Sequence, residues 1–130
     1  FDYNRMLIII AVLEKKVGLN LGNQDIYVNI TGGLRVDDPA VDLAVAAAIA
    51  SAYWERPLPA DLVAMGEIGL TGELRPVSQP EQRFREAVRL GFDNVVAAPL
   101  KSGKAAAKKL DLKLYNAANL QIALSFMGLL

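Results

Sequence analysis

The most informative segment of the chain is Gly66-Glu67-Ile68-Gly69-Leu70-Thr71-Gly72-Glu73-Leu74-Arg75-Pro76-Val77. Its apolar residues predict a buried strand over Leu62–Ile68 and a return strand over Glu73–Arg75, joined by a turn at Thr71-Gly72. The glycines are not a dinucleotide-binding fingerprint, because they lead into another strand and not into a helix. We therefore interpret them as turn and close-packing glycines.

Two helices flank this stretch. Asp38-Pro39 is a strong helix start, since Asp38 can cap free backbone N–H groups and proline suits the first helical position. The helix that follows, to Trp54, is apolar nearly all round, which is typical of a buried helix. A second helix is predicted from Pro80 to Leu90, with Gly91 as its C-cap.

The rest of the chain continues to mix helices and strands, which predicts a layered α/β domain. The further predicted helices are Asn4–Val17, ending at Gly18, Ser102–Lys109 and Ala118–Phe126, and the further strands are Asp25–Ile30, Asn94–Ala98 and Leu112–Tyr115.

Composition favours one compact domain over residues 1–130, since 53% of the residues are hydrophobic. Because the sequence begins at Phe1 and not at Met, we expect it to be a domain excised from a longer protein. The 14 basic and 14 acidic residues balance, so a nucleic-acid surface would have to come from local clustering. No apolar run reaches the length that spans a bilayer, and we expect no membrane partner.

The chain contains neither Cys nor His. This excludes thiolate and imidazole nucleophiles, Ser-His-Asp triads and Cys/His zinc sites. A metal could be held only by carboxylates and carbonyls. The absence of disulfides fits a cytoplasmic protein, and we expect that location.

Three separated segments resemble the proteolytic domain of the Lon protease family. They are Asp37–Asp42 at the start of the Ala-rich helix, Gly66–Val77, and Glu81–Ala87. The resemblance runs from the strand at Asp25 to the strand near Ala98. It implies a Lon-like fold with a mixed sheet and packed helices.

The two positions that resemble the catalytic Ser and Lys of that family are Ala40 and Arg83. A Ser-Lys dyad needs a hydroxyl that attacks and a neutral amine that accepts its proton. Ala40 offers a methyl group, and Arg83 stays protonated in proteins. We expect the remaining serines to lie away from the Ala40 helix start or within predicted helices: Ser51, Ser78, Ser102 and Ser125. The resemblance therefore implies a protease fold without peptidase activity.

One branch resembles the chain more fully, namely the RadA (also called Sms) family of RecA-like bacterial DNA repair and recombination proteins, which end in a Lon-like domain lacking the dyad. The matching motifs are Asp2-Tyr3-Asn4-Arg5, Gly22–Asp25, Gly32–Arg35, Asp42–Ala46 and Gly66–Val77. This resemblance implies a domain that helps a hexameric, ATP-driven DNA motor assemble and hold DNA. We expect no cofactor in this domain, because it lacks a phosphate loop, and we expect ATP, Mg and Zn to bind elsewhere in the parent protein.

Two basic groups are candidates for contact with single- or double-stranded DNA, since clustered cations neutralise phosphates without reading bases. The first group lies on the predicted 80–90 helix, and the second is a run of lysines: Arg83, Arg85 and Arg89; Lys101, Lys104, Lys108, Lys109 and Lys113. The alternative is that these residues lie on ordinary solvated helix faces.

Four further residues are candidates for interface or structural roles: Arg35, Asp42, Arg56 and Arg75. The arginines can form bidentate carboxylate pairs, either between subunits or within the chain. Asp37, Asp38 and Asp42 could hold a metal, but capping of the helix start is favoured. If the degenerate dyad positions remain neighbours, Asp42 can also pair with Arg83.

Three hypotheses follow. The chain is a non-catalytic DNA-binding and oligomerisation domain, a pure oligomerisation scaffold, or a serine peptidase with an unrecognised nucleophile. The missing Ser and Lys weigh against the third. Salt-dependent DNA binding separates the first two.

Overall fold

The computed structural model describes residues 1–29 and 37–130. In this part of the chain the α-helices are α1 (Tyr3–Val12), α2 (Asp42–Trp54), α3 (Pro80–Arg89), α4 (Gly103–Lys109) and α5 (Leu120–Phe126). The strands are β1 (Leu62–Met65), β2 (Glu67–Ile68), β3 (Leu74–Arg75), β4 (Asn94–Ala97) and β5 (Lys113–Asn116). The predicted α/β class is confirmed, and every predicted helix is present within a few residues.

The strands form two sheets. β1, β4 and β5 make a parallel sheet in the order β1-β4-β5, with Leu62 beside Asn94 and Asn94 beside Lys113. β2 and β3 form a separate antiparallel pair, in which Ile68 lies opposite Leu74. The expectation of one mixed sheet is therefore replaced, over the described residues, by a parallel sheet and a separate hairpin.

Helices cover both faces of the parallel sheet. Val95 and Ala97 of β4 pack in a cluster with Phe84 of α3 and Ala107 of α4. Val96, which points to the opposite face, packs in a larger cluster with residues of α1, α2 and α5. α3 leads from the hairpin into β4, and α4 connects β4 to β5, as parallel strands require. The molecule is therefore layered, with α3 and α4 on one face of the sheet.

α1 begins and ends as the sequence predicts. Asp2 caps it by accepting a hydrogen bond from the N–H of Asn4, and the helix continues as a π-helical turn over Leu13–Val17. Gly18 ends it with a φ of 86°, a left-handed conformation that glycine adopts without steric cost.

The strand predicted over Leu62–Ile68 is interrupted at Gly66. The N–H of Gly66 donates to the carbonyl of Ala40, and its own carbonyl accepts from the N–H of Leu43. Both bonds go to the start of α2, so the backbone leaves the parallel sheet here and then re-forms as β2. These two hydrogen bonds connect the start of α2 to the end of β1.

The strand predicted over Asp25–Ile30 is wrong for the residues that can be checked. No strand forms over residues 25–29, and Ile30 lies outside the described residues. Ile26 and Val28 are nonetheless half-buried while Asp25, Tyr27 and Asn29 are exposed. The alternation therefore predicted burial correctly, but burial alone does not supply a hydrogen-bonding partner.

Candidate functional site

The helix start before α2 carries Ala40, the first of the two positions that resemble the protease dyad. Pro39–Val41 forms a 3₁₀ turn ahead of α2, with Asp38 as its cap, and Ala40 is buried. One carboxylate oxygen of Asp38, Oδ1, accepts a hydrogen bond of 3.0 Å from the N–H of Ala40. The predicted capping role of Asp38 is therefore confirmed.

The other oxygen of the same carboxylate contacts Arg83, the second position that resembles the dyad. The Arg83 guanidinium donates to Asp38 Oδ2 at 2.7 Å and to the carbonyl of Ser78 at 2.7 Å. It also contacts Ser78 Oγ at 3.3 Å. Asp38 thus bridges Ala40 and Arg83, so the two positions are neighbours. The hydrogen bond from Arg83, followed by that from Ala40, holds the pKa of Asp38 below its usual value.

This geometry corrects two expectations. Ser78 does not lie away from the helix start, because its hydroxyl sits beside Arg83. A guanidinium cannot take a proton from that hydroxyl, so Ser78 and Arg83 cannot act as a Ser-Lys dyad. The proposed pair of Asp42 with Arg83 is also wrong, because Arg83 pairs with Asp38 and Asp42 pairs with Arg5.

Asp42 is the buried charged residue of this region, with a side chain that is 1% exposed. Its two oxygens accept hydrogen bonds from the Arg5 guanidinium of α1, and Oδ2 also accepts from the N–H of Ile68 at 3.0 Å. A buried carboxylate needs such partners to remain charged. Asp42 therefore joins α1, α2 and β2.

The network extends along the hairpin through surface pairs. Glu67 lies 4.0 Å from Arg5 and 3.5 Å from Arg75, whose guanidinium is also 3.5 Å from Glu73. The hydroxyl of Thr71 donates to Glu73, and this hydrogen bond is the main reason that the pKa of Glu73 lies below its usual value. Arg75 is thus an intrachain partner. Gly69 leaves room for the Glu73 carboxylate, which a Cβ at that position would displace.

The remaining interface candidates are Arg56 and Arg35. The Arg56 guanidinium donates to the carbonyl of Leu129 at 3.5 Å, a long contact near the C-terminal end. Arg35 lies outside the described residues.

A cleft of about 440 Å³ lies beside the helix start, lined by Asp2, Arg5, Asp37, Asp38, Asp42 and neighbours. Within residues 1–29 and 37–130, no group of three carboxylates is arranged to hold a metal ion.

The arginines of α3 are engaged by acidic residues. Arg85 donates to Glu81 at 2.8 Å, and Arg89 donates to Glu86 at 2.9 Å through Nε. The hydrogen bond from Arg89 lowers the pKa of Glu86. Because Arg85 and Arg89 each have a carboxylate on the same helix, and Arg83 pairs with Asp38, α3 offers DNA little net positive charge.

The five lysines differ from the α3 arginines. We call Lys101, Lys104, Lys108, Lys109 and Lys113 the lysine face. All five are exposed, and none forms an ion pair or side-chain hydrogen bond within the part of the chain that the structure describes. They are carried by α4, its approach and β5. These lysines thus have no acidic partner among the described residues.

Sequence reasoning missed the partners Arg5 and Ser78. Arg5 reaches Asp42 from a different helix, 37 residues away in the chain, and no local pattern indicates such a contact. Ser78 precedes the predicted helix start at Pro80, which placed it near Arg83 in sequence. That spacing was the one signal that could have found it.

A family model described as subunit ChlI of Mg-chelatase matches residues 5–100. Because the match takes in well over half of the chain, the chain belongs to this family.

Curated relatives share a different name. The chain is 55% identical over 96 residues to the DNA repair protein RadA of Streptococcus pyogenes, a match that covers 74% of this chain and 21% of the relative. It is 52% identical to RadA of Listeria monocytogenes over 72% of this chain and 21% of the relative. It is 47% identical to RadA of Rickettsia bellii over 75% of this chain and 22% of the relative. The chain spans about a fifth of the length of these relatives. The predicted resemblance to RadA proteins is confirmed.

In the residues that the structure describes, every helix is too short or too polar to cross a membrane.

Proposed function

We propose that this chain is the non-catalytic Lon-like domain of a RadA-type DNA repair ATPase, and that it binds the DNA backbone through the lysine face. The relatives named DNA repair protein RadA, at 47–55% identity, support the DNA-repair part of the proposal. Because 47–55% of the aligned residues are identical, the name of these relatives is a better guide to the function of this chain than the chelatase subunit in the description of the family model.

The observation that carries the proposal is the contrast between two basic groups. The α3 arginines Arg85 and Arg89 are neutralised by Glu81 and Glu86. The lysine face has no such partners among residues 1–29 and 37–130, so we propose that its charges replace the counterions of a phosphate backbone. Contacts from lysine to phosphate oxygens carry no sequence information, so we propose binding that is independent of sequence.

The proposed absence of peptidase activity rests on the Asp38 corner. Ala40 has no nucleophilic atom, and the Arg83 guanidinium is held by Asp38 and Ser78. A group that stays protonated cannot activate a hydroxyl or a water molecule. We propose that the domain needs no cofactor, and that ATP, Mg and Zn act in other parts of a longer cytoplasmic protein.

The experiment is a titration of single- and double-stranded DNA across a salt series. We expect affinity to fall steeply with salt, and Lys108→Glu/Lys109→Glu to weaken binding and reduce the log-log salt slope by about 2, because each phosphate contact contributes about 1.

The matched control is Lys15→Glu/Lys16→Glu. Both pairs are adjacent, exposed lysines in the last turn of a helix, and both variants change the net charge equally. An equal loss in both variants would show that only overall charge matters and would contradict the lysine face.

The second candidate is an oligomerisation scaffold in which a ring, hexameric in the RadA resemblance, positions the ATPases. The intrachain pairing of Arg75, Arg85 and Arg89 favours it, since these charges are already satisfied. A folded chain that assembles, as measured by sedimentation, but binds no DNA at low salt would support the scaffold and exclude direct DNA contact.

A further inference from the structure

Asn116, the last residue of β5, has a buried oxygen without a hydrogen-bond partner. Among the side chains of residues 1–29 and 37–130, its Oδ1 is the one buried nitrogen or oxygen atom that forms no hydrogen bond. Buried polar atoms in folded proteins are nearly always bonded to protein groups or to ordered water, because an unpaired one loses its hydration without compensation. This oxygen therefore requires a donor that the described residues do not supply.

A cavity of about 10 Å³ borders Asn116 at the carboxyl ends of β4 and β5. Ala97 lies beside Asn116 in the sheet, and the next residue, Ala98, is 5% exposed and also lines the cavity. The carbonyl of Ala98 accepts no hydrogen bond within the part of the chain that the structure describes. Asn116 is the one residue of the described wall with a polar side chain, since the others are apolar or glycine, among them Phe84 and Leu114.

We propose that one water molecule binds in this cavity and donates its two hydrogens to Asn116 Oδ1 and to the carbonyl oxygen of Ala98. The size of the cavity carries the choice of ligand, since a single water requires a space of about 10–15 Å³. An amino-acid side chain or a nucleobase is too large for it. The polarity of the wall agrees with this choice, because two acceptors match the two O–H donors of water.

The position of the cavity gives this water a structural role. Leu100 and Gly103 also line the cavity, and the N–H of Gly103 donates to the carbonyl of Leu100 at 3.0 Å in the turn that leads into α4. The water therefore connects the ends of β4 and β5 beside the start of that helix. The site shares no residue with the lysine face or with the pair of Asp38 and Arg83, so the outcome of the DNA experiment has no bearing on it.

A crystal structure at a resolution that shows ordered water tests the proposal directly. We expect a single density peak about 2.5–3.0 Å from Asn116 Oδ1 and at a similar distance from the carbonyl oxygen of Ala98, because these are the distances of O–H···O hydrogen bonds. The absence of a peak in the cavity, or a peak too large for one water molecule, would overturn the proposal.

Nuclear Overhauser transfer from water to the methyl groups of Ala98 and Leu114 tests the same site in solution. A water molecule that stays bound for longer than the protein takes to tumble gives transfer of the opposite sign to that of mobile surface water. We expect the sign of a bound water at both residues. Transfer with the sign of surface water, or no transfer at either residue, would contradict a buried water.

Asn116→Leu removes the oxygen and replaces the side-chain amide by two methyl groups. We expect the transfer from water to Ala98 to disappear and the urea midpoint to fall, because the Ala98 carbonyl then loses its donor. Asn4→Leu is the matched control, since it makes the same change at an exposed asparagine on α1, and it is expected to leave both measurements unchanged.

A higher urea midpoint for Asn116→Leu would show that the oxygen has no partner in the native protein, since the removal of an unpaired buried polar atom is stabilising. That result would overturn the proposal. If circular dichroism shows that Asn116→Leu does not fold, the crystal structure and the transfer from water in the unmodified chain still decide the question.

Discussion

At the residue scale, Asp38 joins the two positions that resemble a protease dyad. Its carboxylate accepts from the Ala40 N–H and from Arg83, and its side chain is 43% exposed. An exposed ion pair of this kind contributes at most about 1 kcal/mol to the free energy of unfolding. The cap adds about 1 kcal/mol by satisfying an N–H that the helix start leaves free.

A double-mutant cycle measures this pair. We expect Asp38→Ala to lower the free energy of unfolding by about 1–2 kcal/mol, through the cap and the pair, and Arg83→Ala by about 1 kcal/mol. Because the pKa of Asp38 is lower in the folded state, the pair contributes fully above the ordinary pKa of 3.8 and is lost as pH falls through the lower folded value.

Urea denaturation of the four cycle members at neutral and acid pH checks both points. The coupling energy is expected at neutral pH and should fade below pH 3.8. Strict additivity at neutral pH would mean that the two side chains do not interact in solution.

Asp42 presents a stronger case, because its carboxylate is buried. Asp42→Ala is expected to cost about 3 kcal/mol, since it leaves Arg5 and the N–H of Ile68 without their acceptor. Asp42→Leu combined with Arg5→Met is expected to recover much of the loss, because two apolar side chains replace the ion pair.

Thermal and urea unfolding of these variants gives the comparison. If the double variant is less stable than Asp42→Ala, the region needs its charges for more than mutual compensation, and the assignment of Asp42 as a structural partner of Arg5 would be incomplete.

At the element scale, the helices were predictable because their boundary residues act locally. Pro80 at the first helical position and Gly91 after the last turn, with φ of 94°, bound α3 where the sequence indicated. The strand predicted over Asp25–Ile30 is absent over the described residues 25–29, because a strand also needs a partner, and alternation indicates only which side chains are buried. The partner of Asp42 was inferred from family geometry, whereas packing of α1 decided it.

The start of α3 contains a strained residue that offers an element-scale prediction. Gln79 adopts a left-handed φ of 50° and makes no side-chain cap hydrogen bond. A Cβ in this conformation is crowded, which costs about 1 kcal/mol. Gln79→Gly is therefore expected to raise the free energy of unfolding, by up to about 1 kcal/mol, as measured by urea denaturation.

Gln82→Gly, within the same helix, is the control. There the flexibility of glycine is expected to cost about 1 kcal/mol. Destabilisation by both substitutions would show that the backbone at Gln79 is not strained in solution.

At the scale of the whole molecule, two apolar clusters lie on opposite faces of one three-stranded sheet. Phe84 is 2% exposed in the smaller cluster, and Trp54, the single tryptophan, packs against the larger one. Phe84→Ala is expected to cost about 3–5 kcal/mol, as cavities under aromatic residues do. Because the two clusters share β4, we expect the unfolding transitions measured by Trp54 fluorescence and by circular dichroism to shift together.

Val88→Ala, at a position on α3 that is 38% exposed, is expected to change stability by less than about 0.5 kcal/mol. If Phe84→Ala moved the dichroism transition and left the Trp54 transition in place, the two faces would be separate folding units.

The parallel sheet also carries an implication for the order in which the chain folds. Asn94 pairs with Lys113, 19 residues later, whereas Leu62 pairs with Asn94, 32 residues later. Closing the longer loop costs about 0.5 kcal/mol more chain entropy. We expect the β4–α4–β5 unit to form in the transition state, and β1 to join afterwards. Ala107→Gly should then slow refolding in a chevron experiment, while Val63→Ala should chiefly speed unfolding; the reverse pattern would show that nucleation starts at β1.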